Sequence, residues 1–351
     1  MFRTDDYFIK EDLDTYRVVH YIFYTKSTSL NEIILSRFTG VNLRIYDRLK
    51  NPKNFAGNIA VPAKNFVELE DAVNDSAKVV KEIAKTKNIY LMFSGGIDST
   101  LVFYALLREK IPFTVVYDEN SVAEYPDLAN KIINGDFINV KNLAKPNVRE
   151  LAKDRDNYFV TGEIGDQVMG SMVTMDFDYR QRNMLLKDAI ACDLFNRCKV
   201  SFIGRREQTN AVFQPILLKE QNATKIIVEL VYDTMVDLLG TTRENTTVAE
   251  FLWYLNFIHK YLTVIYRLHR LNMFGYGKLK NTCHFFDTEM FQQYAMSHYK
   301  ENCAYVKETD YKRPFKEWIY RQNGDKQYLE NKLKVPSLRV SNYYVQEELE
   351  K

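Results

Sequence analysis

The sequence predicts an α/β protein: a parallel sheet with helices on both faces, followed by a mainly helical C-terminal part. Three observations predict it. Short apolar runs alternate with helical patterns between Asn88 and Thr161, the rhythm of strand–helix–strand units whose strands lie parallel and buried. A glycine loop stands where the first run ends and a helical pattern begins. Beyond Gly170 the strand signal mostly fades and long helical spacings take over.

Residues 1–63 mix short apolar runs such as Val18–Phe23 with the turn-rich passage Asn51–Asn58, which fits a small N-terminal region. Residues 64–351 then form the main part. From Phe66 the apolar positions Phe66, Leu69, Val73, Ala77, Val80 and Ile83 recur at three- and four-residue spacing, so an amphipathic helix precedes the first strand. Asn88–Phe93 reads as that strand, and Ser99–Glu109 returns to helical composition with Leu101, Ala105, Leu106 and Leu107. Phe113–Tyr117, Phe137–Val140 and Tyr158–Thr161 read as the next three strands, with Val200–Ile203 one more. Phe251, Leu255, Ile258, Leu262 and Ile265 share one helical stripe, a core face.

Composition removes several function classes. With 48 Lys and Arg against 46 Asp and Glu, the formal charge is +2, too small to attract nucleic acid through phosphate neutralisation. No nucleic-acid partner is expected. Phe251–Leu268 is the most apolar long stretch, but Asn256, His259, Lys260 and Arg267 interrupt it, so no membrane span is expected. Cys192, Cys198, Cys283 and Cys303 have no CxxC spacing and suit reduced thiols in a cytoplasmic protein. High Tyr, Phe, Lys and Asn usage has the AT-rich flavour of a low-GC bacterial or phage gene.

Ser94-Gly95-Gly96-Ile97-Asp98-Ser99-Thr100 lies at a strand end and a helix start, where unpaired backbone N–H groups and the helix dipole attract an anion. Gly95 and Gly96 let the backbone approach a phosphate closely. Ser94, Ser99 and Thr100 add hydroxyl donors, while Asp98 would repel a phosphate unless a divalent cation stood between them, so Mg²⁺ is implied. Neither a GxxxxGK[ST] loop nor a GxGxxG loop is present, which argues against the common kinase and dehydrogenase phosphate sites.

This loop resembles the SGGxDS pyrophosphate loop of the ATP pyrophosphatase (PP-loop) superfamily, and within it the synthetase domain of asparagine synthetase and β-lactam synthetase. Thr161-Gly-Glu-Ile-Gly-Asp-Gln167 resembles the family's SGEGxDE segment, with departures at Ile164 and Gln167. Leu268–Phe274 and His284–Phe291 resemble the run that ends in PFLD, where Asp287 also reads as an N-cap for a helix starting near Thr288. Asp310–Trp318 resembles the KxxLR segment, with Lys312 at the matching position and Lys316 as a neighbouring competitor.

The resemblance implies a HUP-like fold and an ATP-consuming enzyme. In it, Ser94, Gly95, Gly96, Asp98, Ser99 and Thr100 would hold the nucleotide's phosphates, Asp98 and Asp166 would share Mg²⁺, and Lys312 would stabilise charge developing on the reacting phosphate. Glu163 would face the activated carbonyl, orienting the amine or taking its proton. The substrates implied are a small-molecule carboxylate and ammonia or an amine. Fused members of the family begin with a glutaminase whose cysteine follows the initiator methionine; Phe2 stands there, and no glutaminase is expected in residues 1–63. Two other readings stay open: a nucleobase- or tRNA-modifying member of the superfamily, and a degenerate member that binds nucleotide as a scaffold.

Overall fold

The structure, a computed structural model, describes residues 66–170, 178–192, 235–236, 239–254, 256–257, 281–304 and 306–333. The N-terminal region 1–63, the Val200–Ile203 strand, the stripe positions Leu255, Ile258, Leu262 and Ile265, and the Leu268–Phe274 run lie outside the described residues. The chain divides into two compact units. One takes its residues from Phe66–Gly165, Tyr266–Tyr294 and Tyr305–Lys351; the other takes them from Met1–Asn65, Asp166–Ile265 and Ala295–Ala304.

In chain order the elements begin with α1 (Leu69–Ala84), β1 (Asn88–Met92), α2 (Ile97–Arg108), β2 (Phe113–Tyr117), α3 (Glu119–Glu124) and α4 (Pro126–Asn134). They continue with β3 (Val140–Ala144), α5 (Val148–Leu151), β4 (Asn157–Thr161), α6 (Gly165–Met169), α7 (Tyr179–Asn183), α8 (Leu186–Ala191) and α9 (Val248–Tyr254). The last described elements are β5 (Thr282–His284), α10 (Glu289–Ser297), α11 (Tyr299–Cys303), a 3₁₀ turn at Glu308–Asp310, α12 (Arg313–Asn323) and α13 (Lys326–Asn331).

The first unit holds a parallel five-stranded sheet in the order β3-β2-β1-β4-β5. The expected α/β class is observed. β1 pairs with β2 on one side through Leu91 and Val115, and with β4 on the other through Met92 and Thr161. Strand order therefore reverses between β1 and β4, and such a reversal opens a crevice at the carboxyl ends of the two strands. The loops that follow β1 and β4 both begin there.

Packing explains the elements. α1 buries Leu69, Ala72, Val73, Ser76, Ala77 and Val80, one helical face, and each large apolar side chain so removed from water contributes about 1.5–3 kcal/mol. Phe66 falls outside that face and is exposed. α2 is buried from Ser99 through Leu106, as a helix lying against a sheet should be. Glu70 on α1 pairs with Arg108 at 2.5 Å and accepts from Trp318 Nε1 at 2.7 Å, which ties α1, α2 and α12 together.

Two local expectations are corrected. The third strand is Val140–Ala144 rather than Phe137–Val140, because Asn139 adopts a left-handed φ of 64° and the Phe137 ring packs edge-on against Phe103 at 5.1 Å. The helix near Thr288 is capped by Thr288, whose Oγ1 accepts the Phe291 N–H at 3.3 Å, and not by Asp287. β5 had no strand signal of its own: three residues are too few for a two-residue period to register.

The second unit is helical among its described residues. α9 begins with a reciprocal cap, Thr247 Oγ1 accepting from Glu250 N at 3.2 Å and Glu250 Oε2 accepting from Thr247 N at 2.7 Å. Trp253 is fully buried, stacks on Phe257 at 4.6 Å and donates through Nε1 to Val168 O at 3.3 Å. No helix among the described residues is long and apolar enough to cross a membrane.

Candidate functional site

The loop after β1 folds as its glycines require. Gly95 has a φ of 75°, and a Cβ there would lie 2.4 Å from the Ser121 carbonyl oxygen, so both backbone angle and space demand glycine. Gly96 is the N-cap of α2 and carries no side-chain cap, so no capping side chain satisfies the first-turn N–H groups of that helix. Ser94 is exposed and its Oγ accepts from Gly96 N at 3.3 Å.

The other two expected phosphate hydroxyls differ. Ser99 Oγ is buried, donates to Gly96 O at 3.1 Å and accepts from Ser94 N at 3.2 Å, so its proton serves the loop itself. Thr100 Oγ1 is buried next to Tyr328 Oη rather than exposed in the loop. Burial pushes the Tyr328 phenol well above its ordinary value, and the charges of Asp98 and Glu124 push it further.

Asp98 stands in the first turn of α2. Both its carboxylate oxygens accept from Lys312 Nζ at 2.5 Å, and the lysine side chain is 2% exposed. Lys312 is the N-cap of α12 and holds a left-handed φ of 55°. A non-glycine residue in that region costs on the order of 1–3 kcal/mol, which the charge-assisted contact to Asp98 offsets. The expected competitor, Lys316, points elsewhere: its ammonium donates to the Thr309 and Lys332 carbonyl oxygens, and burial pulls its pKa down to about 8. Asp98 is thus held by a buried lysine, and its loss would disturb the fold.

The loop after β4 presses on the same turn. A Cβ on Gly162 would lie 2.8 Å from Ser99 N, and one on Gly165 would lie 2.5 Å from Asp98 Cγ. Glycine at both positions is what allows the two loops to touch. Between them Ile164, buried to 1% exposure, holds a φ of 75°, at the position where the resembling pattern has glycine. Glu163 is half-buried, and its N–H donates to Thr161 Oγ1 at 3.3 Å.

No protein-family model and no curated protein matches the chain. Among the expected site residues, the first unit brings together Ser94, Gly95, Gly96, Asp98, Ser99, Thr100 and Lys312, with Glu163 on the neighbouring loop. Asp166 falls in the second unit, where its carbonyl oxygen accepts from Asn256 Nδ2 at 2.7 Å. Gln167 is buried there and donates to Asn256 Oδ1 at 3.4 Å, so its side chain carries a packing role.

Sequence reasoning missed a second acid–base pair at the loop. A Cβ on Gly96 would come within 3.3 Å of Glu124 Oε1, and that oxygen accepts from Lys332 Nζ at 3.3 Å. Burial pulls the Lys332 ammonium below the ordinary lysine range, and Glu124 draws it partly back. Neither residue sits in a motif. Only the fold joins them.

Proposed function

We propose that the chain is an asparagine-synthetase-like ligase that adenylates a carboxylate and passes the acyl group to ammonia or an amine. The observation that carries this reading is Lys312 Nζ on the Asp98 carboxylate, in the first turn of the helix that opens at the Ser94–Gly96 loop. A buried cation at that turn stabilises charge developing on a phosphate, typically the largest catalytic contribution. The fold supports the reading to the extent that a strand-order reversal is where parallel sheets bind nucleotides.

In the first step a carboxylate oxygen of the substrate bonds to the α-phosphorus of ATP, the bond from that phosphorus to the bridging oxygen breaks, and pyrophosphate leaves with the electron pair. The N-terminus of α2 and Ser94 Oγ, once its proton leaves Ser99 Oγ, bind phosphate oxygens, and Lys312 meets the growing charge. In the second step the amine nitrogen bonds to the acyl carbon, AMP leaves, and Glu163 takes the proton that the nitrogen sheds. Mg²⁺ binds through one or two carboxylates together with substrate phosphates, so Asp98 suits it; the ion would supply neutralisation of phosphate charge.

The test is ATP–pyrophosphate exchange across a panel of amino acids and other carboxylates, with Lys312→Ala beside the unaltered protein. Exchange with one carboxylate class, and a fall in kcat with nearly unchanged ATP affinity in the variant, is the expected result. A second reading, nucleotide binding without turnover, is favoured by one observation: Lys312 already engages both Asp98 oxygens. Calorimetric ATP binding with no exchange for any carboxylate selects it.

A further inference from the structure

β5 joins the sheet beside β4 with Thr161 in register with His284, the last residue of each strand. Thr161 Oγ1 lies 2.7 Å from His284 Nδ1 and also accepts the Glu163 N–H at 3.3 Å. A hydroxyl has one proton and two acceptor sites. With the Glu163 N–H on one lone pair, the proton is left for the imidazole, which then takes it on a bare Nδ1. The ring is neutral, because burial pulls its pKa down to about 4. Nε2 therefore carries the ring proton.

The turn that this chain supports needs support. Ile164 follows Glu163 directly and holds a left-handed φ of 75°, a conformation a β-branched residue resists. A backbone that pays such a strain persists only where its surroundings over-determine it. We infer that His284 is a positioning residue: its Nδ1 fixes the direction of the Thr161 hydroxyl, which fixes the Glu163 N–H and so the aim of the Glu163 carboxylate. The catalytic consequence rests on the ligase reading; the hydrogen-bond chain does not.

The experiment uses the full chain labelled with ¹⁵N. Long-range imidazole spectra at neutral pH should show His284 with Nδ1 bare and Nε2 protonated. Glu163 amide exchange should speed up about tenfold in His284→Phe and in Thr161→Val, no further in the double variant, and stay within about twofold in His284→Asn, whose amide oxygen can stand in for Nδ1. A protonated Nδ1, or unchanged Glu163 exchange in folded His284→Phe, overturns the inference. Should His284→Phe fail to fold, Thr161→Val and His284→Asn decide it by the same readout.

Pyrophosphate release then separates the two ideas. With an exchange-active carboxylate and amine, Thr161→Val should lower kcat for amide formation and leave the KM for ATP unchanged. A faster Glu163 amide with kcat unchanged overturns the positioning role. Absence of pyrophosphate release in the unaltered chain, beside the expected amide behaviour, removes the ligase reading and leaves the hydrogen-bond chain standing.

Discussion

The loops that follow β1 and β4 stand side by side and meet the same conformational demand with opposite chemistry. After β1 the left-handed position is Gly95, which adopts it freely; after β4 it is Ile164, buried and β-branched. The first loop is shaped by its own backbone and closed by its own serines, Ser94 and Ser99 at 3.1 Å. The second is shaped by neighbours: glycines that abut Asp98 and Ser99, a hydroxyl on His284, and the packing around Ile164. A loop of the first kind survives changes elsewhere in the fold. One of the second kind transmits them.

The largest expected effect breaks the first loop. Gly95→Ala places a Cβ 2.4 Å from a backbone oxygen at positive φ and should destabilise the protein by about 3 kcal/mol or more. Gly96→Ala meets only the ends of the Ser94 and Glu124 side chains at ordinary φ, and should cost about 1 kcal/mol or less. Urea denaturation of both variants checks the pair; equal costs would show that the backbone of this loop is not what shapes it.

Next in size is the charge pair under the first loop. Asp98→Asn leaves the Lys312 ammonium buried without its counter-charge and should cost about 3 kcal/mol, of which Lys312→Met in the same chain restores most. Denaturant midpoints for the two single variants and the double give the coupling. Additive single effects would sink the pair as a stabilising unit.

What was legible in the sequence follows the same division. Ser94–Thr100 could be read because its requirements are local: a strand end, two glycines and a helix start occupy adjacent positions. The resemblance singled out Lys312 but not its partner, since the Asp98 contact spans 214 positions and leaves no periodicity. Glu124 and Lys332 carried no signal for the same reason. Thr100 looked like a phosphate donor by residue type, but the first turn of α2 directs its hydroxyl inward toward Tyr328. Ile164 looked like a departure from a pattern, and only the backbone shows that the departure falls on a left-handed angle.

Acid should probe the second loop through His284. Its folded pKa of about 4 lies below its unfolded value, so between those values the unfolded chain binds the extra proton and stability falls as pH drops from about 6.5 toward 4. Above about 6.5 the neutral ring carries no such penalty. His284→Phe lacks the linkage, so on that descent the unaltered chain should lose about 1–2 kcal/mol more than the variant, the lower end reflecting partial solvent access to the ring. Thermal melts of both proteins at matched pH values give the difference. Parallel descents would mean that His284 charges as readily folded as unfolded.

The smallest effect separates strain from packing at Ile164. Removing the side chain forfeits the burial of a fully enclosed isoleucine, about 2–5 kcal/mol when truncated to alanine. Alanine keeps a Cβ and therefore keeps the left-handed strain, whereas glycine releases it. At an ordinary helix or strand position glycine is the less stable of the two by roughly 0.5–1 kcal/mol, through the entropy of its unfolded chain. At φ 75° the order should invert, with Ile164→Gly more stable than Ile164→Ala by about 1 kcal/mol. Both variants lose the same packing to within one methyl group, so their difference isolates the backbone. Chemical denaturation at a single pH is enough to rank them. Alanine the more stable would mean that residue 164 leaves the left-handed region once isoleucine is gone, and that the isoleucine side chain itself drives the turn.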